Sequence, residues 1–354
     1  QQKYDQSLQT IQEKDKIHPG MEHRTGYPDS SENGENCADG KWFTINGKEV
    51  NMSREMKEFK TEKCSLLPMG SGLNGENLHF SINTKEALDK VILFEHGTRK
   101  VAGYARVQEE EHFGDLYAFR VLNAAHYDYA LMAGEKYIRD EYAKAVNHYR
   151  LEDGTELETY STYVDDFDWQ DDERIFHPFE DSVMYRLHVK GFTKHHSSGV
   201  QNRGCYAGIV EKIPYLLELG VTTVELMPAY EFDEQIMSGR ARGTKNYWGY
   251  GTANYFAPKA GFSRYGKGSQ INEFKEMVRE LHKNQIEVIM EFHFVEGTSP
   301  HTIMDALRFW VLEYHIDGIH ANFNVAPLNM IKSDPIISMV KIISNYDTGE
   351  NMEN

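Results

Sequence analysis

A chain of 354 residues, 40% apolar and 26% charged, has room for two domains or for one large domain with an appendage, and its composition is that of ordinary soluble proteins. Its 38 basic against 55 acidic residues leave a net charge of −17, which repels phosphate backbones and anionic lipid and so argues against nucleic-acid or membrane partners. Three cysteines, Cys37, Cys64 and Cys205, fit neither a zinc pattern nor a disulfide framework. The expectation is isolated thiols in a reducing, cytoplasmic compartment, with no metal and no cofactor. No run of about 18 apolar residues is present to span a bilayer, and "QQKYDQSLQT" lacks the apolar core of a signal peptide. Secretion is thereby disfavoured, but the chain does not begin with Met, so it is not excluded.

Residues 1–65 are polar and rich in turn formers, as in "GYPDSSENGENCADG", which predicts a poorly ordered or loosely docked arm. From 66 to 150 short alternating runs recur, "LHFSIN", "KVILFEH", "VAGYARV", "LYAFRVL" and "YDYALM", and predict a small antiparallel β-sandwich. "GSGLNG", Gly70 to Gly75, matches a dinucleotide fingerprint in form only. Pro68 precedes it and an alternating strand follows, whereas a fingerprint needs a strand before and a helix after to hold the pyrophosphate. It reads instead as a glycine-rich turn entering the sandwich. Residues 151–179 are acidic and aromatic without a period, as in a linker.

Between 180 and 354 the pattern becomes strand and helix in alternation: "SVMYRLHV", "YAGIVEKIPYLLELG", "VTTVELMP", "INEFKEMVRELHKNQ", "IEVIMEFHF", "TIMDALRFWVLEYHID", "GIHANFN" and "MVKIISN". Such alternation requires a parallel sheet covered by helices. About five strands are expected, where a closed βα-barrel needs eight. The overall expectation is an N-terminal β-sandwich followed by α/β, an incomplete (β/α)8 TIM barrel.

Polar groups at the carboxyl ends of such strands are candidate site residues. "NYWGYGTANYF", Asn246 to Phe256, places Tyr247, Trp248 and Tyr250 in a loop, where aromatic faces stack on sugar rings and polar tips reach hydroxyls; a packed loop anchor is the plain alternative. His195, His196, His293 and His320 follow or end strands, but no His-x-x-x-His spacing supports a metal site. Structural histidines are the first expectation, and functional ones in a sugar pocket the second.

These blocks resemble a known family. "VMYRLHVKGFT", "IPYLLELGVTTVELMPAYEFDE", "NYWGYGTANYFAPK", "EFKEMVRELHKNQIEVIMEFHF" and "LRFWVLEYHIDGIHANFN" resemble, in order, the first four strands of isoamylase-type and glycogen-debranching enzymes of glycoside hydrolase family 13. "MGSGLNGENLHFSIN" and "RDEYAKAV" resemble the family 48 carbohydrate-binding module that precedes such barrels. The resemblance implies α-glucan as ligand and retaining hydrolysis of α-1,6 branch linkages. That chemistry needs a carboxylate nucleophile and a carboxylic acid about 5–5.5 Å apart.

Carried over position by position, the family's nucleophile falls on Asn322, its neighbouring arginine on His320, and its general acid on Asn345. An amide can neither form the glycosyl bond nor deliver a proton. The third-strand pattern Asp-x-x-x-Asn-His falls on Glu291, Val295 and Glu296, and the stacking tyrosine on Tyr250. The remaining family carboxylate belongs to a seventh strand, which this chain, ending at Asn354, is expected not to supply. The resemblance therefore implies a catalytically degenerate homologue that binds α-glucan at most, through the sandwich and the aromatic loop, with Tyr247, Trp248, Tyr250, His293 and His320 as the expected contacts. An active hydrolase using other acids, such as Glu291, Glu296 or Asp347, or acids from a missing half, is the first alternative. A scaffold without sugar affinity is the second. Unpaired first and fifth strand edges predict self-association or a covering partner.

Overall fold

The structure, a computed structural model, describes residues 42–45, 48–51, 56–150, 156–162, 166–234, 245–266 and 268–344. Asn345, Asp347 and Cys37 lie outside them.

Two antiparallel-rich sheets come first. One orders strands Thr61–Lys63, Leu116–Val121, Asn77–Asn83 and Gly70–Asn74. The other orders Ala145–Arg150, Glu156–Ser161, Tyr127–Ala133, Lys90–Glu95, Val101–Arg106 and Lys57–Phe59. Leu78, Phe80 and Phe119 of the first share one core with Leu93, Tyr129, Leu131 and Tyr160 of the second, which is face-to-face packing of two sheets.

Three boundaries differ from the sequence reading. Residues 57–63, assigned to the loose arm, form two short strands, one on each sheet. Gly103 makes the first possible: a Cβ there would sit 2.2 Å from the Lys57 carbonyl oxygen, and the space lets Phe59 bury. Glu156–Ser161, assigned to the linker, pairs with Ala145–Arg150 and buries Leu157 on one face and Tyr160, in the core shared by the two sheets, on the other. "GSGLNG" is mostly strand, Gly70–Asn74, and only Gly75, at φ +60°, makes the turn.

Five strands then form a wholly parallel sheet in chain order: β1 (Met184–Leu187), β2 (Thr223–Leu226), β3 (Glu287–Phe292), β4 (Gly318–Ala321) and β5 (Lys341–Ser344). β2, β3 and β4 are buried at every position, as expected of parallel strands covered on both faces. The connecting helices are α1 (Tyr206–Val210), α2 (Ile213–Glu218), α3 (Gln270–Lys283) and α4 (Pro300–Glu313). "YAGIVEKIPYLLELG" thus makes two helices rather than one, with Pro214 just inside the second and Gly220, at φ +71°, beyond its end. The strand read as "SVMYRLHV" stops at Leu187, where His188 caps a short helix, Val189–Thr193.

α3 presents Ile271, Phe274, Met277, Val278 and Leu281 to the core at helical spacing. α4 does the same with Ile303, Leu307, Trp310 and Val311. Trp310, fully buried, donates its indole N–H to the Tyr255 carbonyl at 2.6 Å, so its burial leaves no polar debt. Burying each such side chain contributes roughly 1.5–3 kcal/mol. A hairpin of Tyr230–Phe232 and Ala253–Pro258 projects beyond β2 and carries the aromatic loop. No described helix is long and apolar enough to cross a membrane.

Candidate functional site

Parallel register sets charged side chains side by side at the carboxyl ends of the strands. Arg186 of β1 lies opposite Glu225 of β2, and Glu291 of β3 opposite His320 of β4. Side chains alternate along each strand, so these positions can face one another across the sheet surface.

Arg186 Nε lies 3.1 Å from Glu225 Oε1, and its Nη2 donates to Glu291 Oε2. One guanidinium therefore bridges two carboxylates that are each at least 96% buried. Burial alone would lower the Arg186 pKa, yet Glu291 and Glu225 outweigh it and raise it. Tyr250 Oη donates to Glu291 at 3.0 Å and accepts from Arg186 at 3.2 Å. Burial, then the Glu291 charge, pushes its pKa up to about 12, so the phenol stays protonated and donating. His320 Nδ1 sits 2.7 Å from Glu225 Oε1. A carboxylate only accepts, so the proton is on Nδ1, and the buried Nε2 has no hydrogen-bond partner among the described residues.

Asn322, just past β4 and buried, does not face this ion network with a free amide. Its Oδ1 accepts the Phe294 N–H at 2.9 Å, and its Nδ2 donates to the Phe294 carbonyl at 2.9 Å. Both ends of the side chain are bound to one residue's backbone, and they pin the segment after β3 to the end of β4.

The five predicted ligand-contacting residues form two groups rather than one. Tyr250 and His293 meet edge to face at 5.3 Å beside Glu291, whose strand partner is His320. The His293 backbone is gripped by Tyr230 and Tyr255, since its N–H donates to Tyr230 Oη at 3.0 Å and its carbonyl accepts from Tyr255 Oη at 3.1 Å. Tyr247 and Trp248 instead gather on His188, Tyr247 stacked at 4.5 Å and Trp248 edge-on at 5.7 Å. His188 accepts from the Gly191 N–H through Nδ1 at 2.9 Å and donates from Nε2 to the Tyr247 carbonyl at 2.8 Å. Burial lowers its pKa, consistent with that neutral, tautomerically fixed ring. The packed-anchor reading of the loop thus holds for one face of Tyr247, while Trp248 remains 52% exposed.

His195 and His196 touch each other at 4.1 Å, and His195 bonds Ser197, outside either group. Cys64 and Cys205 are free thiols. Among the described residues no cluster of three or more His, Cys, Asp or Glu could hold a metal ion.

Sequence reasoning missed Arg186, Glu225 and His188. The available signal was a charged residue inside an otherwise apolar strand run, "VMYRLHV" and "VTTVELMP", but only register shows that the charges meet. The strand ends thus hold two buried carboxylates, Glu291, which the sequence offered, and Glu225, which it did not, both bonded to Arg186.

Parallel βα units with polar groups gathered at the strand ends, set beside antiparallel sheets, define a pullulanase- or amylase-like fold. A pullulanase of Group B Streptococcus, solved with maltotetraose, superposes with TM-score 0.64 at 19% identity, over 78% of this chain and 45% of that one. A Paenibacillus barengoltzii pullulanase, solved with maltohexaose and α-cyclodextrin, gives 0.61 at 20% identity, over 77% and 52%. Residues 163–306 match the model described as alpha amylase, catalytic domain. Chloroplastic isoamylase 1 of Oryza sativa subsp. japonica is 37% identical over 274 residues, covering 54% of this chain and 33% of that protein. A glycogen operon protein GlgX homologue of Mycobacterium bovis is 34% identical over 252 residues, covering 52% and 34%. Residues 163–306 are thus similar to part of an alpha-amylase (glycoside hydrolase family 13) catalytic domain, with isoamylase and GlgX proteins as relatives. The chain spans about a third of the length of these two relatives.

Proposed function

We propose that the protein is a debranching-type member of this family that binds α-glucan without hydrolysing it. Five parallel strands in chain order support reading the α/β part as a portion of a (β/α)8 barrel, and the shared two-sheet core supports a family 48-like module before it. The observation that carries the proposal is Asn322. At the position the resemblance gives to the nucleophile stands an amide, and both of its ends are spent on Phe294. Retaining chemistry needs a carboxylate free to attack and a second able to donate a proton, about 5–5.5 Å apart. Asn345, at the acid position, is an amide in the sequence.

Glucan affinity rests on the exposed Trp248 and Tyr250 rings and on the polar tips around them. Solved relatives carrying maltotetraose and maltohexaose support the ligand class. A cytoplasmic location, and self-association through the outer edges of β1 and β5, belong to the same reading.

An active hydrolase is the second reading, favoured by two buried carboxylates, Glu225 and Glu291, at the strand ends. Against it, Arg186 is bonded to both, and Tyr250 also donates to Glu291 while His320 sits on Glu225, so neither carboxylate stands free at the strand ends. Two assays on the full chain separate these readings. Retardation in glycogen-containing gels with no release of reducing ends from pullulan or glycogen is the expected result. A hydrolysis rate above the buffer control overturns inactivity, and absence of retardation overturns glucan binding.

A further inference from the structure

A cleft of about 490 Å³ separates the antiparallel sheets from the start of α4, far enough from the Arg186 network that it shares no lining residue with it. Its size suits an oligosaccharide of a few units. Three elements that are distant in sequence build it: strand Asn77–Asn83, the turn after Ile138, and the first turn of α4. They are held in place by side chains that cross between the two parts. Tyr142 stacks on Phe256 at 4.4 Å and donates to Asp305 at 3.1 Å, while Asn254 donates to the Asp140 carbonyl at 3.0 Å.

The walls carry polar groups that the fold does not use. Arg139, half-buried, has neither an ion pair nor a hydrogen bond among the described residues, and neither does the side chain of Asn83, Glu141, Ser299 or His301. Among the described residues Arg308, also half-buried, is by contrast bonded to Asp334. Met69, Ile82 and Leu116 add apolar surface at the base.

Charge selects among ligand classes. Asp140 is taken up by Tyr129 and the Tyr142 N–H, and Asp305 by Tyr142 and Arg308, so Arg139 faces Glu141 alone and an ion would shed its water for no net attraction. An apolar ligand would strip water from Arg139 and Asn83 without replacing its hydrogen bonds. A neutral ligand that offers both donors and acceptors beside C–H faces has neither cost. We propose that this cleft is a second carbohydrate subsite, in which Arg139, Asn83 and Glu141 hydrogen-bond the hydroxyls of a neutral α-glucan strand. The proposal rests on the glucan-binding reading above and extends it to a separate place. α4 begins seven residues after His293, so the cleft and the Tyr250 group are joined by one short segment that leaves β3.

The test is calorimetric titration of the full chain with maltoheptaose, using Asn83→Ala/Arg139→Ala for the cleft, Trp248→Ala for the loop, and all three together. Asn83→Ala/Glu141→Ala, which changes exposed side chains only, serves if the first cleft variant fails to fold by thermal melting. Expected is a cleft contribution that survives Trp248→Ala: in that background the cleft substitutions weaken the remaining binding about tenfold, the effect of losing one or two hydrogen bonds to charged or amide groups. Unchanged affinity and stoichiometry in both cleft variants, with Trp248→Ala alone removing binding, overturns the subsite and leaves the glucan reading standing. No binding by the unaltered chain overturns both. Saturable, Arg139-dependent binding of inorganic phosphate that displaces maltoheptaose overturns it in favour of an anion site.

Discussion

Asn322 and Phe294 exchange two hydrogen bonds of 2.9 Å, side-chain amide to backbone amide, in the manner of one rung of a sheet. The pair bridges the segments leaving β3 and β4, at the position that the proposed reading gives to the nucleophile. A carboxylate there is unfavourable in this fold. Asn322→Asp replaces the donor Nδ2 by an oxygen facing the Phe294 carbonyl, with both groups buried. We expect a loss of about 1–3 kcal/mol in stability, read by urea unfolding, and no gain of pullulan hydrolysis. An Asn322→Asp protein that is as stable as the parent would show that the pair contributes little.

Arg186 is the sole cation bonded to both Glu225 and Glu291 among the described residues. Arg186→Leu leaves two buried carboxylates facing each other's field. Breaking a fully buried pair costs about 3–5 kcal/mol, and with the Arg186 side chain 45% exposed we expect about 2–3. Adding Glu291→Gln should recover part of the loss, and a double-mutant cycle measures the coupling.

His282 links Asp172 and Asp317, at 2.9 Å from each ring nitrogen. Burial lowers its pKa, but the hydrogen bond and charge of Asp317, then Asp172, more than reverse this, and the folded value lies above the ordinary one. The protonated ring is the form the fold favours. Its contribution is complete below about pH 6.5, the unfolded value, and is lost as pH rises through the raised folded value. Melting temperature should fall over that window, and His282→Gln should flatten the fall.

Glu231 behaves with the opposite sign. Burial opposes its charge, yet Lys259 and His148 bring its pKa down to about 2. Its contribution is present above the ordinary glutamate value and lost as pH falls toward about 2. Because His148 belongs to the antiparallel sheets, acid should loosen their junction with the hairpin, seen as earlier acid unfolding in Lys259→Met than in the parent.

Trp248 is 52% exposed and packs on His188 by its edge. Trp248→Ala should weaken glycogen retardation about tenfold, within the 1–3 kcal/mol expected of a lost aromatic platform or its equivalent in buried area, while melting temperature stays nearly constant. His188→Leu, which frees the Tyr247 carbonyl, should weaken it too, through loosening of the loop.

Periodicity and residue type determined much of this protein. The alternation in "LYAFRVL" and "YDYALM", and the three-and-four spacing in "INEFKEMVRELHKNQ", were readable because side-chain burial repeats with period 2 in strands and 3.6 in helices. The family resemblance, and the amide at Asn322, were likewise legible from residues alone. Tertiary structure decided what local pattern does not carry. Lys57–Phe59 is a strand because Val101–Arg106, far along the chain, pairs with it where Gly103 leaves the space, and Glu156–Ser161 because the preceding strand Ala145–Arg150 folds back against it. Arg186 meets Glu225 and Glu291 only through the parallel register of three strands separated by more than thirty residues each. Hydrogen bonds and charge interactions depend on distances between atoms, and those distances are set by how the strands stack. Sequence therefore named the position of Asn322, while its reciprocal hold on Phe294 was decided by the stacking of β3 beside β4.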